Sequence, residues 1–337
     1  MDFTDVSLTA LRVFRAVAEQ GTFTAAAASL GYTQSAVSRQ IAAIERVAGA
    51  ELLERRREGV RLTAPGRVVM RRATIVLDEI DATARELSGL PEQAGTVRLG
   101  WFPSAGAVLV PAALATLRRT DPGLDVVSRE GTTPALVRAL RAGSLDLALL
   151  ASAPPFRPPD AESPPLALQT LTERALCLAV PAAHPLARGD FVDVADLRGQ
   201  RWIASSGSGE DRLLGVWPGL DERPEIVHSA RDWLAKLQLV ATGCGLTTVP
   251  STLAPAAPPG VRVLPVRGGP QEQRRLLLAR LPHPPTEPVT RVAAALRAAA
   301  LDADEPTLST PPRWPGRRGG GPDGPVIASD ASAEPGA

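Results

Sequence analysis

Between Gly21 and Gly49 the chain carries two short helical patterns with only Gly31, Tyr32 and Thr33 between them, and few folds accept that spacing. Thr22 is placed to cap an Ala-rich helix running to Leu30, and Gly31 supplies the left-handed residue that follows a helix end. Thr33 is placed to cap the next helix. In that helix Val37, Ile41, Ile44 and Ala48 recur at i, i+4, i+7 and i+11 as one buried stripe, and Gly49 closes it. At about 100° per residue, Gln34, Ser35, Ser38, Arg39 and Ala42 fall on the opposite arc. Upstream, Leu8, Leu11, Phe14 and Val17 form the apolar stripe of a first helix that ends at Gly21.

The exposed arc is short-chained and rich in hydrogen-bonding groups, where a helix that merely faces water carries long Lys and Glu pairs. Two helices around a tight turn, with polar groups gathered in the first turn and a half of the second, make a helix-turn-helix. Small side chains let such a helix sink into a major groove. Gln and Arg offer paired hydrogen bonds to base edges, and Ser reaches bases or phosphates. The next stretch, ELLERRREGVRLTAPG, reads as a hairpin whose arms, Glu51 to Arg57 and Val60 to Leu62, flank a Glu58-Gly59 turn. Arg55, Arg56 and Arg57 decorate its first arm and tip. An Arg run beside glutamates is on its own more often a solvated face. Beside this helix it suits phosphates and the narrow minor groove, as the wing of a winged helix-turn-helix.

Thr63 is placed to cap a further helix, with Pro65 in the first turn where a missing amide costs nothing. Val69, Ala73, Val76, Ile80, Thr83 and Leu87 then follow the 4-3 spacing of a coiled-coil seam, over a helix of about 38 Å at 1.5 Å per residue. A long helix with one apolar seam beside a DNA-reading unit is a dimerisation arm, and a symmetric dimer reads two related half-sites. Packing of the seam onto the chain's own second domain is the other reading.

After a break at SGLPEQAG, residues 88–95, strand-like and helix-like segments alternate: VRLGWF, then Ala105 to Leu117; LDVVS, then Pro134 to Ala142; then LDLALL. Repeated βαβ patterning implies a largely parallel sheet with ligands beyond the carboxyl ends of its strands. Further strands are expected at RALCLAV, RWIAS, EIV, GLTTV, VRVLPV and RRLLLA, with helices from about Ala230 to Thr242 and Thr286 to Ala300. The Pro- and Gly-rich segment after 302 has no periodicity and is expected to be disordered.

Composition narrows the classes. At 337 residues and 44% hydrophobic content there is material for two or three cores. The balance of 37 basic against 36 acidic side chains makes net charge uninformative about partners. The acidic start MDFTDVSL lacks the pattern of a secretory signal, which suggests the cytoplasm. The longest apolar stretch falls short of the roughly 20 residues of a membrane span. Cys177 and Cys244 have no CxxC spacing and read as inert thiols. His184, His228 and His283 are scattered, and no GxSxG, phosphate loop or metal spacing is present, so no catalytic residue, metal or cofactor is expected.

The phrases LRVFRAVAEQGTFTAAAASLGYTQSAVSRQIAAIE and GAELLERRREGVRLTAPG resemble the LysR-type transcriptional regulators without a gap. Leu53 stands where that family commonly has Phe, and Ser35 where it commonly has Pro. LRAGSLDLALL, LAVPAAHPLA and LVATGCGLTTVP look like phrases of its effector domain. The resemblance implies an α/β chain with an all-α winged helix-turn-helix domain over 1–63 and a linker helix over 64–90. A two-subdomain, periplasmic-binding-protein-like effector domain follows over 96–302, the first subdomain comprising about 96–165 and 263–302 and the second 166–262. It implies that Gln34, Ser35, Ser38 and Arg39, with the cap Thr33, meet bases and phosphates, with Arg55, Arg56 and Arg57 in the wing. It further implies an effector in the cleft between subdomains, and a homodimer or homotetramer on double-stranded promoter DNA.

Cleft candidates are polar residues after strands: Ser104, Thr132, Thr133, Ser205 and Ser206, whose hydroxyls and amides suit a small carboxylate, and Arg231 at a helix start. For dimerisation the candidates are Val69, Ala73, Val76, Ile80 and Leu87. The competing functions are an enzyme on the α/β body and a cytoplasmic small-molecule-binding protein without a DNA role.

Overall fold

The computed structural model describes residues 3, 5–56, 59–87, 95–206, 213–269 and 272–302, with backbone alone at 82, 85, 86, 206, 213 and 214. Arg57, residues 88–94 and the segment after 302, read above as a wing contact, a linker and a tail, lie outside these.

Helices α1 (Leu8–Gln20), α2 (Phe23–Leu30) and α3 (Gln34–Ala48) are opened by Ser7, Thr22 and Thr33, whose hydroxyls accept from the third amide onward at 3.0, 3.1 and 3.2 Å. Gly21, Gly31 and Gly49 close them in the left-handed region. Their inner faces meet around Val13, Phe14, Val17, Val37 and Ile44, all buried. The Glu45 carboxylate accepts from the Leu52 and Leu53 amides at 2.8 and 3.2 Å, which ties the next element to α3. That element is an antiparallel hairpin, β1 (Leu53–Arg56) and β2 (Gly59–Leu62), with Arg56 opposite Gly59. Gly59 belongs to the second strand rather than to the turn. At its φ of +125° a Cβ would stand 2.5 Å from the Gly21 carbonyl oxygen, which also accepts from the Val60 amide at 2.7 Å. Only glycine lets the wing close on α1 this tightly.

The linker helix α4 (Ala64–Leu87) splits the expected seam between two faces. Ala73 is buried and Val69 packs against the same core, together with Met70 and Leu77. Val76, Ile80 and Leu87 are exposed, joined by Val68 and Ile75. The inner stripe packs into the core formed with α1 to α3, so Val69 and Ala73 are not on the helix's open face.

The effector domain starts with β3 (Thr96–Trp101), α5 (Pro103–Ala107), α6 (Leu109–Thr120), β4 (Asp125–Glu130), α7 (Thr133–Arg141) and β5 (Leu147–Ser152). The single helix expected over Ala105 to Leu117 breaks at Val108 (φ −131°). Pro111 explains this, since it has no amide for the Ala107 carbonyl and its ring collides with the preceding turn. Next come β6 (Ala167–Pro181), β7 (Val192–Asp193), β8 (Arg201–Ser206), β9 (Leu213–Leu214), β10 (Glu225–Ser229) and α8 (Trp233–Ala241). The domain closes with β11 (Thr247–Pro250), β12 (Val261–Arg267), β13 (Gln273–Arg280) and α9 (Glu287–Asp302).

Strand β6 runs through both subdomains. Its first part, Ala167–Ala175, pairs with β13, which in turn pairs with β5, while Leu176–Pro181 pairs with β11 and β12. The pairing partners of β6 thus change near Ala175, and β12 pairs with the second part of β6 and, at Val266–Arg267, with β7. Parallel pairs β3/β4 and β8/β10 lie on the two sides. Leu147, Leu149, Leu99 and Val292 are buried in the first core, and Trp202, Leu178 and Val180 in the second.

The DNA-binding domain rests on the first subdomain, with α1 against α7. Arg138 donates from Nε to the Glu19 carbonyl at 3.1 Å, and Arg129 meets the Glu19 carboxylate at 3.5 Å. Thr74 on α4 donates to the Ala142 carbonyl at 3.4 Å, and Ala142 is buried in the N-terminal core. Arg98 on β3 spans Asp146 at 2.8 Å and Asp78 of α4 at 3.0 Å.

Candidate DNA interface and effector cleft

Gln34, Ser35, Ser38, Arg39 and Ala42 are all exposed on the face of α3 opposite Val37, Ile41 and Ile44. The arc therefore points outward as the spacing requires. Thr33 serves as the cap: its Oγ1 accepts from the Ala36 amide and lies 3.1 Å from the Ser35 hydroxyl. This pair stiffens the helix entry where the two residues would approach a phosphate. Arg39 has no ion pair among the described residues.

In the wing, the Arg55 guanidinium lies over the Phe23 ring at 4.8 Å, and the residue is exposed. Arg56 pairs with Glu54 at 2.9 Å, both side chains about half exposed. An exposed pair of this kind is worth little and is readily exchanged for a phosphate.

The cleft candidates all follow the carboxyl ends of parallel strands. Ser104, after β3, is buried on α5. Thr132 and Thr133, after β4, open α7; Thr132 is exposed and its side chain makes no capping bond. Ser205 and Ser206 are the last two residues of β8; Ser205 is buried, while the side chain of Ser206 lies outside the described residues. Arg231, after β10, is exposed next to Asp232, whose carboxylate caps α8 by accepting from Ala235 at 2.7 Å. Between the subdomains, α5 packs against the turn Ser251–Ala256 that follows β11.

The structure adds a residue that was not singled out. Lys236, the sole lysine of the chain, is 2% exposed. Its Nζ donates to Ser205 Oγ at 3.2 Å and stands 4.9 Å from the Trp233 ring centre. Burial lowers its pKa to about 8. The available signal was compositional: a chain that uses arginine for every other basic position kept one lysine in the first turns of a helix at a strand end. Trp233, Lys236 and Leu237 lie at i, i+3 and i+4, which turns all three to the sheet.

A winged helix-turn-helix joined by a long helix to a two-subdomain α/β body defines a ligand-responsive transcriptional regulator. Residues 8–67 match the model of the bacterial regulatory helix-turn-helix protein, lysR family, and residues 91–301 match the LysR substrate binding domain. The chain belongs to the LysR family of transcriptional regulators. It is 32% identical to a probable hydrogen peroxide-inducible genes activator of Mycobacterium avium, over 74% of this chain and 79% of the relative. It is also 32% identical to the small neutral protease regulatory protein of Streptomyces coelicolor, over 87% and 93%. Among solved structures, full-length OxyR of Pseudomonas aeruginosa superposes with a TM-score of 0.55 at 23% identity, covering 87% of this chain and 94% of that one. Full-length BenM gives 0.51 at 23% identity, covering 88% and 98%.

Proposed function

We propose that this regulator binds double-stranded promoter DNA as a homodimer or a larger homo-oligomer, and that a small carboxylate in the cleft modulates that binding. Gln34, Ser35, Ser38 and Arg39 read the major groove, and Arg55, Arg56 and Arg57 hold the flanking backbone. Val76, Ile80 and Leu87, with Val68 and Ile75, form the contact between two copies. The observation that carries the reading is the exposed, short-chained face of α3 set beside a wing carrying arginines.

For the effector, the supporting observation is Lys236 beside Ser205, a buried cation at a strand end of the kind that holds an anion. A thiol-based response, which the names of the peroxide-induced relatives raise, finds less support. Cys177 and Cys244 are both free thiols, Cys177 is buried, and burial pushes its thiol pKa up, away from the reactive thiolate.

The test is a gel-shift titration on the DNA upstream of the chain's own gene, repeated across small carboxylates and with hydrogen peroxide. A carboxylate that shifts DNA affinity in the wild type but not in Lys236→Met supports the reading. A peroxide response that is lost in Cys177→Ser or Cys244→Ser contradicts the effector assignment.

A further inference from the structure

A cavity lies away from the cleft candidates, at the opposite end of the first subdomain's strands. A cavity of about 200 Å³ opens between α9 and the strands β5, β6 and β13. Its apolar floor is Leu147, Leu278 and Val289, all buried. Two arginines, Arg280 at the end of β13 and Arg297 on α9, stand in its lining.

Neither arginine has a carboxylate within ion-pair distance among the described residues. Arg280 is anchored by main-chain oxygens: its Nη1 donates to the Leu281 carbonyl at 2.9 Å and the His283 carbonyl at 2.5 Å. Arg297 makes only a long 3.4 Å bond from Nε to the Ala293 carbonyl in its own helix. On α9 the acids are Glu287 and Asp302: Glu287 is held by Arg291, which also bonds Asp121, and neither Glu287 nor Asp302 is paired with Arg280 or Arg297 among the described residues. Two guanidinium groups without a carboxylate partner among the described residues thus stand beside an apolar floor.

We propose that this cavity binds a small amphipathic monocarboxylate, its apolar end on Leu147, Leu278 and Val289 and its carboxylate between Arg280 and Arg297. Size supports the assignment, because an apolar cavity of about 150 Å³ already admits a benzene-sized guest. Guanidinium forks suit a carboxylate in direction as well as charge. Position gives the site a consequence. Leu278 pairs with Gln169 and Arg280 with Ala167, where β6 and β13 begin and end their run between the subdomains. A ligand here braces α9 against the paired ends of β6 and β13. The proposal is independent of the cleft, since none of the cleft candidates lines this cavity.

The test is calorimetric titration of the full-length chain with hexanoate, and with 1-hexanol as its uncharged counterpart. Saturable hexanoate binding is expected, with hexanol at least about tenfold weaker for loss of the charge-assisted bonds. Arg297→Gln, an exposed position whose loss leaves the core intact, is expected to weaken hexanoate about tenfold or more. Ala293→Leu, which fills the cavity, is expected to abolish binding. Hexanoate binding that survives Arg297→Gln and Ala293→Leu, or the absence of saturable binding, overturns the proposal.

Discussion

Lys236 shows how one residue type in one place acquires a function-sized perturbation. Held between Trp233 and Ser205 with 2% of its surface exposed, it loses hydration that its ammonium would have in the unfolded chain. Its folded pKa is lowered to about 8, so above that pH the unfolded chain binds more protons than the folded one. Stability contributed by this position is therefore lowest below about pH 8 and rises as pH climbs toward the ordinary lysine range. Chemical denaturation of wild type and Lys236→Met across that range measures it: the wild type should gain stability relative to the variant with rising pH. A difference that stays flat would show Lys236 to be an ordinary hydrated lysine. Lysine chemistry was not legible here in periodicity, because burial of a lone charged residue depends on which sheet its helix lies on.

At the scale of elements, the caps and stripes of the N-terminal domain were written locally. Ser7, Thr22, Thr33 and three glycines fix the helix ends within the sequence itself, so α1 to α3 and the exposed arc of α3 follow from neighbours a few residues apart. The linker helix α4 was only half legible. Its 4-3 spacing identified an amphipathic helix, but Ala73, Met70 and Leu77 turn to a core that the other helices and Ala142 complete, a contact set by tertiary docking. The open stripe is instead Val68, Ile75, Val76, Ile80 and Leu87, with Ile75 58% exposed. An apolar row of this kind on a helix about 36 Å long is what a second copy would cover. Ile75→Asp with Ile80→Asp should shift the dimer toward monomer in analytical ultracentrifugation while the helical circular dichroism signal is kept. A double variant that sediments as the wild type would move the subunit contact elsewhere. Strand β6 was under-read for a related reason: Ala167–Thr172 pairs with β13 while Leu168, Gln169 and Thr170 are exposed, so the clean apolar run appears only from Leu176 on.

On the scale of the whole molecule, α7 links the two functional ends. Its first residues, Thr132 and Thr133, lie among the cleft candidates, and Arg138 and Ala142 at its far end touch α1 and the N-terminal core. Burial lowers the Arg138 pKa, and the Glu19 carbonyl it bonds is the last before Gln20 and Gly21 close α1. Gly21 leaves room for this: a Cβ there would stand 3.1 Å from the Arg138 side chain. Loss of that hydrogen bond should loosen the docking, so Arg138→Ala is expected to speed hydrogen exchange in α1 and α7 and leave β8 and β11 as they are. Unchanged protection in α1 would mean that the two domains hold together without it. None of this docking was visible in the sequence, since Glu19 and Arg138 are 119 positions apart and carry no shared pattern.

A DNase footprint on the DNA upstream of the gene, at two salt concentrations, with wild type and Arg39→Ala, tests whether the short polar face of α3 reads DNA. Two protected half-sites in phase on the duplex are expected for the wild type, weakening as salt rises. For Arg39→Ala, a loss of about 1–3 kcal/mol in specific binding is expected, the value of a bidentate base contact. Protection by Arg39→Ala equal to that of the wild type, at the same protein and salt concentrations and with the same boundaries, would contradict the account.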